Sequence, residues 1–129
     1  MKTVTVLSGV IVSLLFASLV FAADVSGKWT ADFEAQDGQK LRNVFTFVVD
    51  GEKLTGTVHS SLSGSEAKIE EGSVKGDNIA FALTRNFGGT DVRLRYTGKV
   101  VGDEITFTVV AGEGGQGFEL RITAKRQKP

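Results

Sequence analysis

From residue 27 to residue 125 apolar and polar side chains alternate, and no stretch keeps a helical period. The alternation predicts eight strands, over residues 27–33, 43–49, 53–60, 67–75, 78–86, 91–101, 104–111 and 117–125. In the first, Trp29, Ala31 and Phe33 share one face, and Lys28, Thr30 and Asp32 the other. In the fourth the alternation fails between Ile69 and Val74, which predicts a bulge near Glu71-Gly72. The predicted inward set is Trp29, Phe33, Phe45, Phe47, Leu54, Val58, Ile69, Val74, Ile79, Phe81, Leu83, Leu94, Tyr96, Ile105, Phe107, Val109, Phe118, Leu120 and Ile122. It is almost wholly apolar and fits two outcomes, a filled core or the lining of a partly hollow interior. Tyr96 is the expected interior polar contact, because a buried phenol needs a hydrogen-bond partner.

The connections have a polarity. Consecutive hairpins put alternate turns at opposite ends of a meander. At one end fall Asp50-Gly51, Gly76-Asp77 and Gly102-Asp103, all tight. At the other fall residues 35–42, 61–66, 87–90 and 112–116, which read as longer loops rich in Gly, Ser and polar residues. Eight antiparallel strands with short connections close into an up-and-down barrel, which removes exposed edges. A two-sheet β-sandwich is the alternative built from the same strands. Either way, a site belongs at the open end, where loops sit on a rigid scaffold. A short internal repeat supports the strand register: Gly72, Val74, Gly76, Asp77, Ile79 and Phe81 recur at constant offset as Gly98, Val100, Gly102, Asp103, Ile105 and Phe107. Hairpin duplication accounts for it, and so does the drift of any β-meander toward this pattern.

The segment before the first strand has a different character. Lys2 is followed by an uncharged apolar run over residues 4–21, and Val20-Phe21-Ala22 offers small residues where a signal peptidase reads them. This predicts a secretory signal peptide over residues 1–22, with Ala23 as the alternative cleavage point and an uncleaved membrane anchor as the competing reading. Residues 23–129 then form a single domain in the secreted or periplasmic space, large enough to bury a core without staples.

Composition mainly excludes. The 15 Lys+Arg balance 15 Asp+Glu, which removes the electrostatic footprint of a nucleic-acid binder. The absence of Cys excludes disulfides, thiolate metal sites and thiol catalysis, and the single His argues against a His-based zinc site or a Ser-His-Asp triad. His59 is expected to point outward, and Glu66, Glu70 and Glu71 to form a charged face or bulge. The turn residues Asp50, Asp77 and Asp103 are explained by backbone geometry. Arg85, Arg93, Arg95 and Arg121 are expected to form an outer basic stripe, interleaved with acids and solvated.

Two short motifs carry a resemblance. Gly27-Lys28-Trp29 resembles the G-x-W signature of the calycins, the lipocalin and avidin group of eight-stranded barrels. Leu54-Thr55-Gly56-Thr57-Val58 is similar to the L-T-G-T-Y stretch of avidin-like proteins. The resemblance implies that an arginine from near the chain end packs over Trp29. Arg121 and Arg126 are the candidates, and Arg126 is the better placed because Arg121 falls on the outer face. Biotin binding is not implied, since avidins stack biotin between several Trp residues and Trp29 is the only one here. The long first loop, C-terminal helix and disulfides usual in lipocalins have no counterpart in this sequence. The chain also looks like small exported bacterial proteins with G-x-W, L-x-G-x-V and G-x-V-x-G-D-x-I-x-F segments, a group that implies no function.

The expectation is a monomeric, non-catalytic binding protein without cofactor or metal. Its ligand, a small apolar or aromatic molecule or a partner's loop, is held at the open end by Trp29, Asn86, Phe87, Tyr96 and Gln116. The alternative is a structural or protein-interaction module of the cell envelope with a filled barrel, acting through outward Val44, Val48 and Val110. A third class, an enzyme, would use His59 with a nearby Glu inside a cleft. No nucleic-acid partner is expected, and no membrane span once the leader is removed.

Overall fold

A computed structural model describes residues 23–35, 37–112 and 119–128. Among them run β1 (Gly27–Glu34), β2 (Lys40–Asp50), β3 (Lys53–Ser60), β4 (Ser65–Lys68), β5 (Glu70–Lys75), β6 (Asn78–Phe87), β7 (Thr90–Val101), β8 (Glu104–Ala111) and β9 (Glu119–Arg126). The described residues contain no helix. All pairings are antiparallel, and β2 pairing with β3 closes the sheet β2-β1-β9-β8-β7-β6-β5-β3 on itself. Strands β4 and β5 are two halves of one barrel strand, interrupted at Ile69. The molecule is thus a closed, eight-stranded antiparallel barrel, as the alternation predicts.

The interruption is the predicted bulge. The β5–β6 register shifts between Glu70 and Ser73, and Glu71 adopts a left-handed φ of 53°. The extra residue lets Ile69 and Val74 both face inward although their numbers differ in parity. Gly56 of β3 lies alongside with φ 142°, where a Cβ would collide with the Thr46 carbonyl of β2. Only glycine lets the strands close there, which gives the middle of the L-T-G-T-V stretch its reason.

The closed end is filled. Phe45 stacks on Phe107 at 5.2 Å between centroids, Phe81 on Tyr96 at 4.6 Å, and Phe47 meets Phe81 edge-on at 5.8 Å. Residues 23–26 tuck beneath this cluster: Val25 is fully buried, and the Ala23 amide donates to Gly76 O at 2.8 Å. The Trp29 indole donates to Val25 O at 2.9 Å, and the Arg126 guanidinium lies 4.4 Å from the centre of its ring. Arg126 also donates to the Asp24 and Ser26 carbonyls and to Asp103. Of the two arginines offered by the sequence, Arg126 is the one over Trp29.

The open end departs from expectation in two ways. The connection read as residues 87–90 is a two-residue turn, Gly88-Gly89, both with φ above zero. Two glycines with that backbone make a tight hairpin, so the polarity of loop lengths holds less strictly than the sequence suggests. The first loop is also shortened, because β2 begins at Lys40.

Two ladders stop halfway up the barrel. β1 and β9 pair only over Trp29↔Arg126, Thr30↔Lys125 and Ala31↔Ala124. On the far side β5 joins β3 to β6 near the closed end, but β4 pairs with β3 alone. Toward the open end the wall therefore divides into two four-stranded leaves, β1-β2-β3-β4 and β6-β7-β8-β9. The two-sheet sandwich alternative fails, because the strands form one sheet that closes on itself.

A candidate ligand cavity between two leaves

The inward rows change character as they climb. In β2 the row runs Phe47, Phe45, Asn43, Leu41; in β3 it runs Leu54, Gly56, Val58, Ser60; in β6 it runs Ile79, Phe81, Leu83, Arg85, Phe87. Each is apolar below and gains a polar side chain near the top. Strand alternation fixes this, because residues two apart face the same way. Asn43, Ser60 and Arg85 are the buried polar residues of the described chain, and all three face one cavity of about 680 Å³. That size falls within the range of small-molecule sites, roughly 300–1,000 Å³.

Leaf one contributes Phe33, Leu41 and Ala67 to the wall, and leaf two contributes Leu94, Val109, Leu120 and Ile122. Tyr96, stacked on Phe81 below, belongs to both the aromatic cluster and the cavity lining. The interior is thus filled at one end and hollow at the other. Leu62 and Phe87, both substantially exposed, give the mouth an apolar rim.

Arg85 corrects the sequence reading. It is not part of an outer stripe: it points inward and is 9% exposed. Its position follows from the same parity that turned Ile79, Phe81 and Leu83 inward. Its guanidinium spans the gap between β6 and the other leaf. Nη2 donates to Val58 O at 2.9 Å, and Nη1 lies 3.4 Å from both Ser65 O and Ser63 Oγ. The ion pairs among the described residues are Arg42–Asp32, Arg93–Glu70, Arg93–Glu71 and Arg126–Asp103, and none of them involves Arg85. Burial lowers the Arg85 pKa from its ordinary value, with the neighbouring Tyr96 phenol opposing the shift. Burial likewise raises the Tyr96 phenol above its ordinary value, and Arg85 opposes that shift. Asn43, 7% exposed, keeps its Oδ1 buried with no hydrogen-bond partner.

The residues singled out in the sequence are not all brought together. Asn86, Phe87 and Tyr96 line the cavity. Asn86 also fastens the Gly88-Gly89 turn, accepting from Gly89 N and donating to Asp91, both at 3.0 Å. Trp29 sits 0% exposed at the closed end, under Arg126 and apart from the cavity lining. Gln116, and Phe118 of the inward set, lie outside the described residues. Arg85, Asn43 and Ser60 are cavity residues that apolar alternation alone does not single out.

Other candidate chemistry stays on the outside. His59 lies on the outer face of β3, opposite Val44 and Glu66, and is not in the cavity lining. Glu70 and Glu71 are held by Arg93 at 2.8 and 3.0 Å across the strand break. Among the described residues no group of three or more His, Asp or Glu is placed to hold a metal ion. The sequence matches no protein-family model, and comparison with curated proteins finds no match.

Proposed function

We propose that this chain is an exported, non-catalytic binding protein that holds one small, largely apolar ligand between the two leaves of its barrel. The observation that carries this reading is the cavity of about 680 Å³, lined by aliphatic and aromatic side chains together with about as many polar ones, among them the buried Asn43, Ser60 and Arg85. Its position at the end opposite the Asp50-Gly51, Gly76-Asp77 and Gly102-Asp103 turns is the end at which the sequence leads one to expect a site. A calycin-like relationship is part of the reading, supported by the closed eight-stranded meander and by Arg126 stacked over the Trp of Gly27-Lys28-Trp29. Export is supported by the apolar leader that the sequence carries over residues 4–21.

The envelope-module alternative draws less support from the outer face. Val48 is exposed but pairs with Thr55, and Val110 lies between Arg95 and Glu119, so these valines do not form one apolar patch. Native mass spectrometry of the exported protein, purified without detergent, tests the binding reading. The expected result is a reproducible mass excess that is lost on denaturation. A bare monomer mass, together with no uptake of an apolar fluorescent dye, overturns it.

A further inference from the structure

We infer that the ligand is an amphiphilic acid, its carboxylate held at Arg85 and its apolar body lying among the aliphatic side chains of the upper cavity. This deepens the binding reading and rests on it. Arg85 is the one charged side chain among the buried residues of the described chain. It makes one well-formed bond to a carbonyl and two long contacts to neutral oxygens. Those oxygens carry no net charge to balance it, and the described carboxylates that form ion pairs do so with other arginines. A buried charge of this kind is costly unless paired, and the planar guanidinium fork matches a carboxylate better than any neutral group.

Neutral groups beside Arg85 can serve the rest of an acid head group, while the carboxylates of the lining, Glu34, Glu66 and Glu119, belong to exposed residues. The Tyr96 phenol is close enough to Arg85 for each to influence the other's ionisation, and it stays protonated, so it can donate to an anion. Asn43 lines the same cavity, and its amide NH2 is a donor that an anion can use. Ser60 lies opposite Asn43 in register, next along the inward row from Val58, whose carbonyl Arg85 engages. A second charge on the ligand would find no second buried cation, so the acid is a monoanion. Leu41, Leu94, Leu120 and Ile122 receive the apolar remainder.

Decanoate and 1-decanol share a chain and differ in the head, so the delipidated mature protein is titrated calorimetrically with each at pH 8, alongside Arg85→Gln and Arg85→Lys. Decanoate is expected to bind wild type roughly 10- to 100-fold more tightly than decanol, the range for a hydrogen bond to a charged group. Arg85→Gln should remove that preference, so that acid and alcohol bind alike, and Arg85→Lys should keep part of it. Equal binding of acid and alcohol to wild type overturns the acid inference and leaves a binder of neutral ligands. Binding of neither overturns the binding reading itself. The wild-type comparison stands even if an Arg85 variant does not fold.

Discussion

Trp29 and Tyr96 are both buried aromatics of the inward set, yet their surroundings give them different work. Trp29 is enclosed by Val25 and Arg126 at the closed end, so its replacement by Phe should act on stability. Loss of the indole hydrogen bond and of part of the ring contact should cost about 1–3 kcal/mol in urea unfolding, with ligand affinity unchanged. A loss of affinity at unchanged stability would place Trp29 in the binding machinery. Tyr96 is the only tyrosine, so absorbance near 295 nm reads its ionisation alone. Burial holds its folded pKa above the ordinary value of 10.0. The stabilisation from the neutral phenol is complete below the unfolded pKa and is lost as pH rises through the folded one. The titration midpoint in the native protein should therefore lie above 10.0, and Arg85→Gln should move it higher, since Arg85 favours the phenolate. A midpoint at or below the ordinary value would mean that the phenol is open to water.

Strands that look alike in sequence differ in how firmly they are held. β7 pairs with β6 and β8 along most of its length, whereas β4 pairs on one side only, with β3. Hydrogen exchange should show slow amides through β7 and β8, and markedly faster ones in β4 and in the Asp32–Glu34 portion of β1. Uniform protection around the barrel would mean that the two ladders continue to the rim in solution. The alternation made most of this legible: eight strands, the bulge between Ile69 and Val74, and the inward faces all follow from period two. Arg85 was legible by the same rule, because it continues the row Ile79, Phe81, Leu83. Charge argues the other way, since a charged residue ordinarily goes to water, but alternation is the stronger constraint in a strand whose other face already meets solvent. The short ladders were not legible, since pairing length depends on where two strands separate in space. The cavity was not legible either: Leu94 or Ile122 reads the same whether it packs against a neighbour or against empty volume.

At the scale of the whole molecule, one end is welded and the other is not. Aromatic packing, the tucked segment at residues 23–26 and the Arg126 contacts fix the base, and the tight turns close it. The leaves rise from this base joined at the top mainly by side chains, with Arg85 spanning one of the two gaps. A barrel with complete ladders has a bore set by strand number and stagger, and widening it breaks backbone hydrogen bonds. Among the described residues, parting the upper halves would break few backbone hydrogen bonds, as the jaws of a peg turn about its spring. The girth of an occupant is then limited by elasticity, not by a fixed diameter. On the proposed binding reading, such a receptor would discriminate sharply at the head group, where Arg85 sits, and tolerantly along the body, and would suit a graded family of related molecules better than a single member.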